Sequence, residues 1–264
     1  MIVLKHVSKT YGKSHVLTDV SFRVEPSEFL CITGPSGAGK STLVSLIIGA
    51  EKPTAGAIEV DGVDLAIVPP PVMQLFRRRI GIVFQDYKLL PNRTVAENIA
   101  FPLEVCGVRD SVIKKRVHEL LKQMDIESRA KAFPRELSGG EKTRTAIARA
   151  IAHNPMIIIA DEPTGNLDPE QSLGILKLFR GIHEAGATVV LATHDAVLVD
   201  KLQTRVLRLE NGKVLRDSFG GYEHEKRAQP RELPHTKHKI FKDAEIPEQT
   251  AAAGKKIKIT SIGS

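Results

Sequence analysis

Apolar and polar residues alternate over Ile2–Val7 and again over Ser21–Val24, the period-two signature of half-buried strands. Glu28–Thr33 is a more continuous apolar strand, and a glycine-rich turn comes after it. A helix is predicted to begin near Lys40, to carry Leu43, Leu46 and Ile47 on one face, and to stop at Gly49. Ala57–Val60 with the turn Asp61-Gly62 reads as a returning strand pair, and Ile80–Phe84 as another short strand. From Asp86 to Glu136 the period changes: Ile113, Val117, Leu120, Leu121 and Met124 recur at helical spacing within Val112–Met124. Gly139–His153 reads as a helix stopped by Asn154-Pro155, and Met156–Ala160 as a strand buried on both faces. Pro169–Ala185 is a predicted helix, Thr188–Ala192 a strand, and Val206–Leu209 with Lys213–Leu215 a hairpin around Asn211-Gly212.

Strands alternating with helices predict an α/β layer fold with a parallel sheet. Antiparallel pieces precede it, and a helical subdomain at about 86–136 interrupts it. The ordered pattern fills residues 1–219. Over 220–264 it dissolves into prolines and scattered charge, which predicts a flexible basic tail, with Ile257 and Ile259 a weak strand or docking candidate.

With 264 residues, 42% of them hydrophobic, the chain can bury a sizeable core. No apolar run approaches the roughly 18 residues of a membrane span. The start, Met1 to His6, lacks the basic-then-apolar order of a secretory signal, so a cytoplasmic protein is expected. Cys31 and Cys106 fit a reducing compartment and have no metal-ligand spacing. The net charge of +7 is spread, +3 of it in the tail, and no aromatic residues interleave with a basic stripe. Direct nucleic-acid binding is therefore not expected.

The sharpest chemistry lies in Gly34-Pro35-Ser36-Gly37-Ala38-Gly39-Lys40-Ser41, which matches G-x-x-x-x-G-K-S after a strand and before a helix, with Thr42 next in the nucleotide-binding run. The glycines let backbone N–H groups turn towards phosphate, and the helix start adds its positive end. Lys40 is placed to reach the β- and γ-phosphates of ATP, and Ser41 to ligate Mg²⁺. The strand Met156–Ala160 ends in Asp161-Glu162, which puts one carboxylate beside Mg²⁺ and the next where a general base belongs. No Asn-Lys-x-Asp guanine-reading segment is present, which disfavours a GTPase. Leu137-Ser138-Gly139-Gly140-Glu141 opens a further helix with a hydroxyl and two glycine N–H groups, a second anion site. One compact subunit does not readily bring both sites to one triphosphate. The economical arrangement is a head-to-tail homodimer that buries two ATP molecules, Ser138 and Gly140 of one copy closing on the γ-phosphate held by Lys40 of the other.

Taken together, the phosphate loop at Gly34–Ser41, Gln85, Leu137–Glu141, the strand ending at Asp161-Glu162, Gly165-Asn166-Leu167-Asp168 and His194 resemble the ABC ATPase family in type and order. The resemblance covers about residues 1–219. It implies a P-loop NTPase with a RecA-like parallel core, an N-terminal antiparallel β-subdomain and an inserted helical subdomain. It implies that Tyr11 stacks on adenine, that Gln85 contacts Mg²⁺ or the attacking water and senses a membrane partner, that Asp168 links the two active sites, and that His194 holds the γ-phosphate and orients Glu162. Lys142 and Thr143 stand where related sequences often carry two glutamines before the arginine, here Arg144. The run Phe84–Ala100, including Tyr87-Lys88-Leu89-Leu90-Pro91, is similar to the cell-division branch of the family. Its members pair with the membrane protein FtsX on the inner face of the bacterial cell membrane, and the pair is thought to control septal cell-wall hydrolases. In this reading Tyr87–Pro91 grips a cytoplasmic helix of the partner. The neighbouring branch, which drives lipoprotein release or macrolide-type export, shares the Leu-Leu-Pro element and is the alternative. A soluble ATP-driven clamp would need a long coiled-coil insertion or two cassettes, and a module without hydrolysis would not need Glu162 and His194.

Overall fold

A computed structural model describes residues 1–220. The flexible-tail expectation, with Ile257 and Ile259, falls on residues beyond 220 and lies outside the described residues.

Two sheets organise the chain. The first is antiparallel, with strands β1 (Ile2–Tyr11), β2 (Ser14–Val24), β4 (Ala55–Val60) and β5 (Val63–Asp64) in the order β2-β1-β4-β5. The second contains β3 (Phe29–Thr33), β6 (Ile80–Val83), β7 (Ile157–Asp161), β8 (Thr188–Ala192), β9 (Arg205–Glu210) and β10 (Lys213–Phe219), in the order β10-β9-β3-β8-β7-β6. Every pairing in this second sheet is parallel except the β9–β10 hairpin. Asn211 and Gly212 turn that hairpin at φ 49° and 73°, the left-handed pair that a two-residue connection needs. β1 and β2 are longer than the alternating segments because bulges break the period. His6 and Asp19 sit there in left-handed backbone, at φ 51° and 54°, and the register shifts between Leu4 and Val7.

The central strands are apolar on both faces because both faces are covered. Ile158 and Ala160 of β7 pack into a core on the helical side, with Ile99, Leu120, Ile147 and Phe179. Ile157 and Ile159 point the other way, into a core shared with Ile2, Leu17 and Ile58 of the antiparallel sheet and with Leu43 and Ile47 of helix α1 (Lys40–Ile47). Residues 86–136 hold α3 (Val95–Val105), α4 (Asp110–Gln123) and two short 3-10 turns, and α2 (Pro70–Arg77) comes just before them. Helix α5 (Gly139–Ile151) packs on α3 and β6, and α6 (Pro169–Glu184) and α7 (Ala196–Leu202) come after it. Arg116 of α4 donates to the carbonyls of Ile151 and Ala152 and to the Asn154 side chain, closing the C-terminal end of α5.

This order aligns β3, β8, β7 and β6 with their carboxyl ends at one edge. At that edge β3 runs into the phosphate loop, β8 leads to His194, β7 ends in Asp161-Glu162, and β6 leads to Gln85. Open parallel sheets place their ligands at such an edge.

Candidate nucleotide site

The phosphate loop leaves β3 through Gly34 at φ 147°, with no room for a side chain: an added Cβ would lie 2.2 Å from the Leu209 carbonyl oxygen. It enters α1 through Gly39 at φ 102°, where a Cβ would meet Leu17 at 2.6 Å. Gly39 is the N-cap of α1, and no side chain bonds the first N–H groups of that helix. A helix start left open in this way directs its donors at an anion. Lys40 is buried, donates to the carbonyls of Gly34 and Pro35 at 2.9 and 3.1 Å, and lies 3.4 Å from a Glu162 carboxylate oxygen.

β7 delivers both acids. Asp161 pairs with Ala192 of β8 and lies beside Ser41. Burial holds its carboxyl above the usual range and the Glu162 charge adds to this, against the Ser41 hydroxyl and the Lys40 charge. One of its oxygens, Oδ1, is buried without a protein partner. Glu162 is still bonded to the sheet through its N–H to Ala192 but takes left-handed backbone at φ 48°. Such a conformation is costly for a residue with a Cβ. It turns the side chain back over the sheet edge, where one carboxylate oxygen faces Lys40 and the other lies 2.9 Å from His194 Nδ1 and accepts the His194 N–H. His194 itself is exposed, and Gln85 is exposed at the end of β6. Lys40, Glu162 and His194 thus meet directly, from three segments far apart in sequence.

A buried carboxylate oxygen without a partner, beside the hydroxyl of the residue after the lysine, suits Mg²⁺. That cation takes one or two protein oxygens and completes its octahedron with water and phosphate. Among the described residues no three His, Cys, Asp or Glu side chains cluster as an all-protein metal cage.

The second predicted anion site is built differently. Ser138 is the N-cap of α5 in a capping box: its Oγ accepts the Glu141 N–H at 3.3 Å, and the Glu141 carboxylate accepts the Ser138 N–H at 2.8 Å. That backbone bond, then Arg129 at 2.6 Å, draws the Glu141 carboxyl below its usual range. Glu141, expected to touch nucleotide, is therefore committed within its own chain. Gly139 and Gly140 lie against Leu167 and Gln171. Asp168 caps α6 by accepting the Gln171 N–H at 2.8 Å. None of the contacts made by Ser138 or Asp168 is shared with Lys40 or Glu162. Tyr11, at the end of β1, is part exposed, and its hydroxyl bonds Glu51.

Two features beside the run Tyr87–Pro91 go beyond what that run signals in the sequence. Tyr87 and Lys88, just after Gln85, are consecutive left-handed residues at φ 61° and 46°. Arg149 of α5 donates to both of their carbonyls, at 2.8 and 2.6 Å. No spacing rule links a residue late in one helix to a loop 61 positions earlier. Beside them a groove of about 520 Å³ opens between β6, α2, α3 and α5, with Phe84, Leu90, Phe101 and Val105 among its apolar walls. Its charged lining is cationic throughout: Arg77, Arg78, Lys88 and Arg149.

Comparison with known proteins agrees with this geometry. Residues 17–165 match the family model described as ABC transporter. The cell division ATP-binding protein FtsE of Bacillus subtilis is 47% identical over 222 residues, 84% of this chain and 97% of that protein. FtsE of Escherichia coli K12 is 44% identical over 226 residues, 85% of this chain and all of the relative. Among solved structures, the ATP-binding cassette MJ0796, dimeric in a post-hydrolysis state bound to ADP and Pi, superimposes with a TM-score of 0.77. It is 37% identical and covers 83% of this chain and 98% of its own. The phosphate loop, the strand-end carboxylates and these likenesses together place the chain in the ABC transporter family, as one of its ATP-hydrolysing P-loop subunits of the FtsE group.

Proposed function

We propose that two copies of this chain close head to tail around two ATP molecules and work a membrane partner of the FtsX kind in cell division, on the inner face of the bacterial membrane. The relatives' name, cell division ATP-binding protein, supports the role, and the dimeric cassette supports the assembly. No helix among the described residues is long and apolar enough to cross a membrane.

The observation that carries the reading is the Lys40–Glu162–His194 meeting at the sheet edge. The N–H groups of Ser36–Lys40 cradle the phosphates, and Lys40 neutralises the β- and γ-oxygens. Ser41 and Asp161 would hold Mg²⁺, with Gln85 beside it, and the bound cation would supply charge neutralisation at the phosphates. Glu162 takes a proton from the water that attacks the γ-phosphorus. His194 fixes the rotamer of Glu162 through its Nδ1, and its exposed face is left for the γ-phosphate. Tyr11 is the platform for adenine. Ser138, Gly139 and Gly140 of the facing copy close the site, and Asp168 lies beside the joint. The cationic groove accepts a cytoplasmic helix of the partner, which seats apolar side chains on Phe84 and Leu90 and carboxylates on the arginines.

Glu162→Gln tests the reading. ATP affinity is retained, turnover falls by about 100-fold or more, and a dimer accumulates with ATP in sedimentation. Equal phosphate release by variant and wild type ends the general-base assignment.

A further inference from the structure

Tyr11 stands at the exposed end of β1 and yet is tethered on several sides. Its hydroxyl donates to the Glu51 carboxylate, on the loop after α1. The Thr42 side chain, in the first turn of α1, approaches the same oxygen. Lys9, two residues before Tyr11, sets its ammonium 4.8 Å from the ring centroid. That ammonium also pairs with Glu51 at 2.9 Å and donates to the Lys52 carbonyl at 2.8 Å. The supporting loop is itself tied to β1: Thr54 donates its N–H to the Ser8 carbonyl, and its Oγ1 accepts the Thr10 N–H.

A tyrosine at a strand end ordinarily samples several rotamers, and ordering it on binding reduces affinity. Here that freedom is already removed. A cation sits over the ring, the phenol end is tied to the first turn of α1 and to the loop after it, and the residue as a whole stays exposed. Because α1 also carries the phosphate loop at its start, the ring and the phosphate site are held by one rigid element.

We propose that Lys9 and Glu51 are positioning residues for the nucleotide base: they clamp Tyr11 as a stacking platform at a set spacing from the phosphate loop. The inference rests on the reading of Tyr11 as the base platform. Neither residue touches the triphosphate; both act through the ring. Their effect is therefore confined to the base-bearing part of the ligand.

The test titrates ATP and inorganic tripolyphosphate, each with Mg²⁺, calorimetrically into the full chain and its Lys9→Met, Glu51→Gln and Tyr11→Ala variants. Lys9→Met and Glu51→Gln each weaken ATP binding by about threefold to tenfold, the cost of ordering one side chain on binding. Tripolyphosphate binds all four proteins alike. Lys9→Arg restores ATP affinity, and adding Glu51→Gln to Tyr11→Ala weakens ATP no further than Tyr11→Ala alone. If Tyr11→Ala weakens ATP while the Lys9 and Glu51 variants do not, the clamp is wrong and the platform stands. If tripolyphosphate weakens in step with ATP, the two residues merely support the fold and the clamp is again wrong. If Tyr11→Ala leaves ATP affinity unchanged, the platform reading fails and takes the clamp with it.

Discussion

Two helices of this chain begin at the proposed anion sites, and they begin in opposite ways. α1 starts from a left-handed glycine, has no side chain on its first N–H groups, and puts a buried lysine in its first position. α5 starts from a serine in a closed capping box, with Glu141 and Arg129 locked around it. An open start holds charge strongly but is poorly satisfied alone, whereas a capped start is stable alone and offers one hydroxyl and its dipole. The first suits the subunit that carries the nucleotide. The second suits a surface that waits in solvent for a partner copy and must keep its shape while waiting.

The contrast can be broken experimentally. Lys40→Ala removes the cation of the open start and leaves Glu162 buried without it. ATP affinity measured by calorimetry is expected to fall about 100-fold, in line with the roughly 3 kcal/mol that truncating a buried charge costs. Unchanged affinity would mean that the N–H cradle alone suffices.

The far end of α5 gives the next largest effect. His153 lies just past that helix, and burial, assisted by the Arg116 charge and opposed by the Ile80 backbone, holds its pKa down at about 4. Below pH 6.5 the unfolded chain binds a proton there that the folded chain refuses. Stability is therefore lost as pH falls from 6.5 to about 4, by up to about 3 kcal/mol. His153→Gln should flatten that stretch in urea titrations at stepped pH, and an unaltered slope would remove His153 from the account.

Smallest is the capped start. Ser138→Ala should cost about 1 kcal/mol of stability and leave the ATP affinity of a lone chain unchanged. ATP-driven dimerisation in sedimentation should suffer. A loss of lone-chain affinity would erase the division of labour between the two helices.

The open start is legible in the sequence and the capped one nearly so, because both are local: glycines, a lysine and a hydroxyl at fixed offsets before a helical period. The strand-end acids are legible because an uninterrupted apolar run announces a doubly covered strand. The hidden parts are set by distant contacts or by punctuation that misleads. α2 escapes a sequence reading because Pro69, Pro70 and Pro71 look like a breaker, whereas proline fits the first turn of a helix. α3 contains Pro102, and its role in shaping the loop rests on one buried asparagine, Asn98, which bonds Leu90, Arg93 and Thr94. The turn of Glu162, the clamp on Tyr11 and the cationic groove each join segments that only the fold brings together.

The grip of Arg149 on Tyr87 and Lys88 has a mechanical corollary. Its half-buried guanidinium donates to both of those carbonyls, so neither side can slide without breaking charge-assisted hydrogen bonds. The loop on the groove wall and the rod that begins at Ser138 are thus pinned like a crank to its shaft. Arg149 ties the loop to one end of this 13-residue helix, and the cap lies at the opposite end.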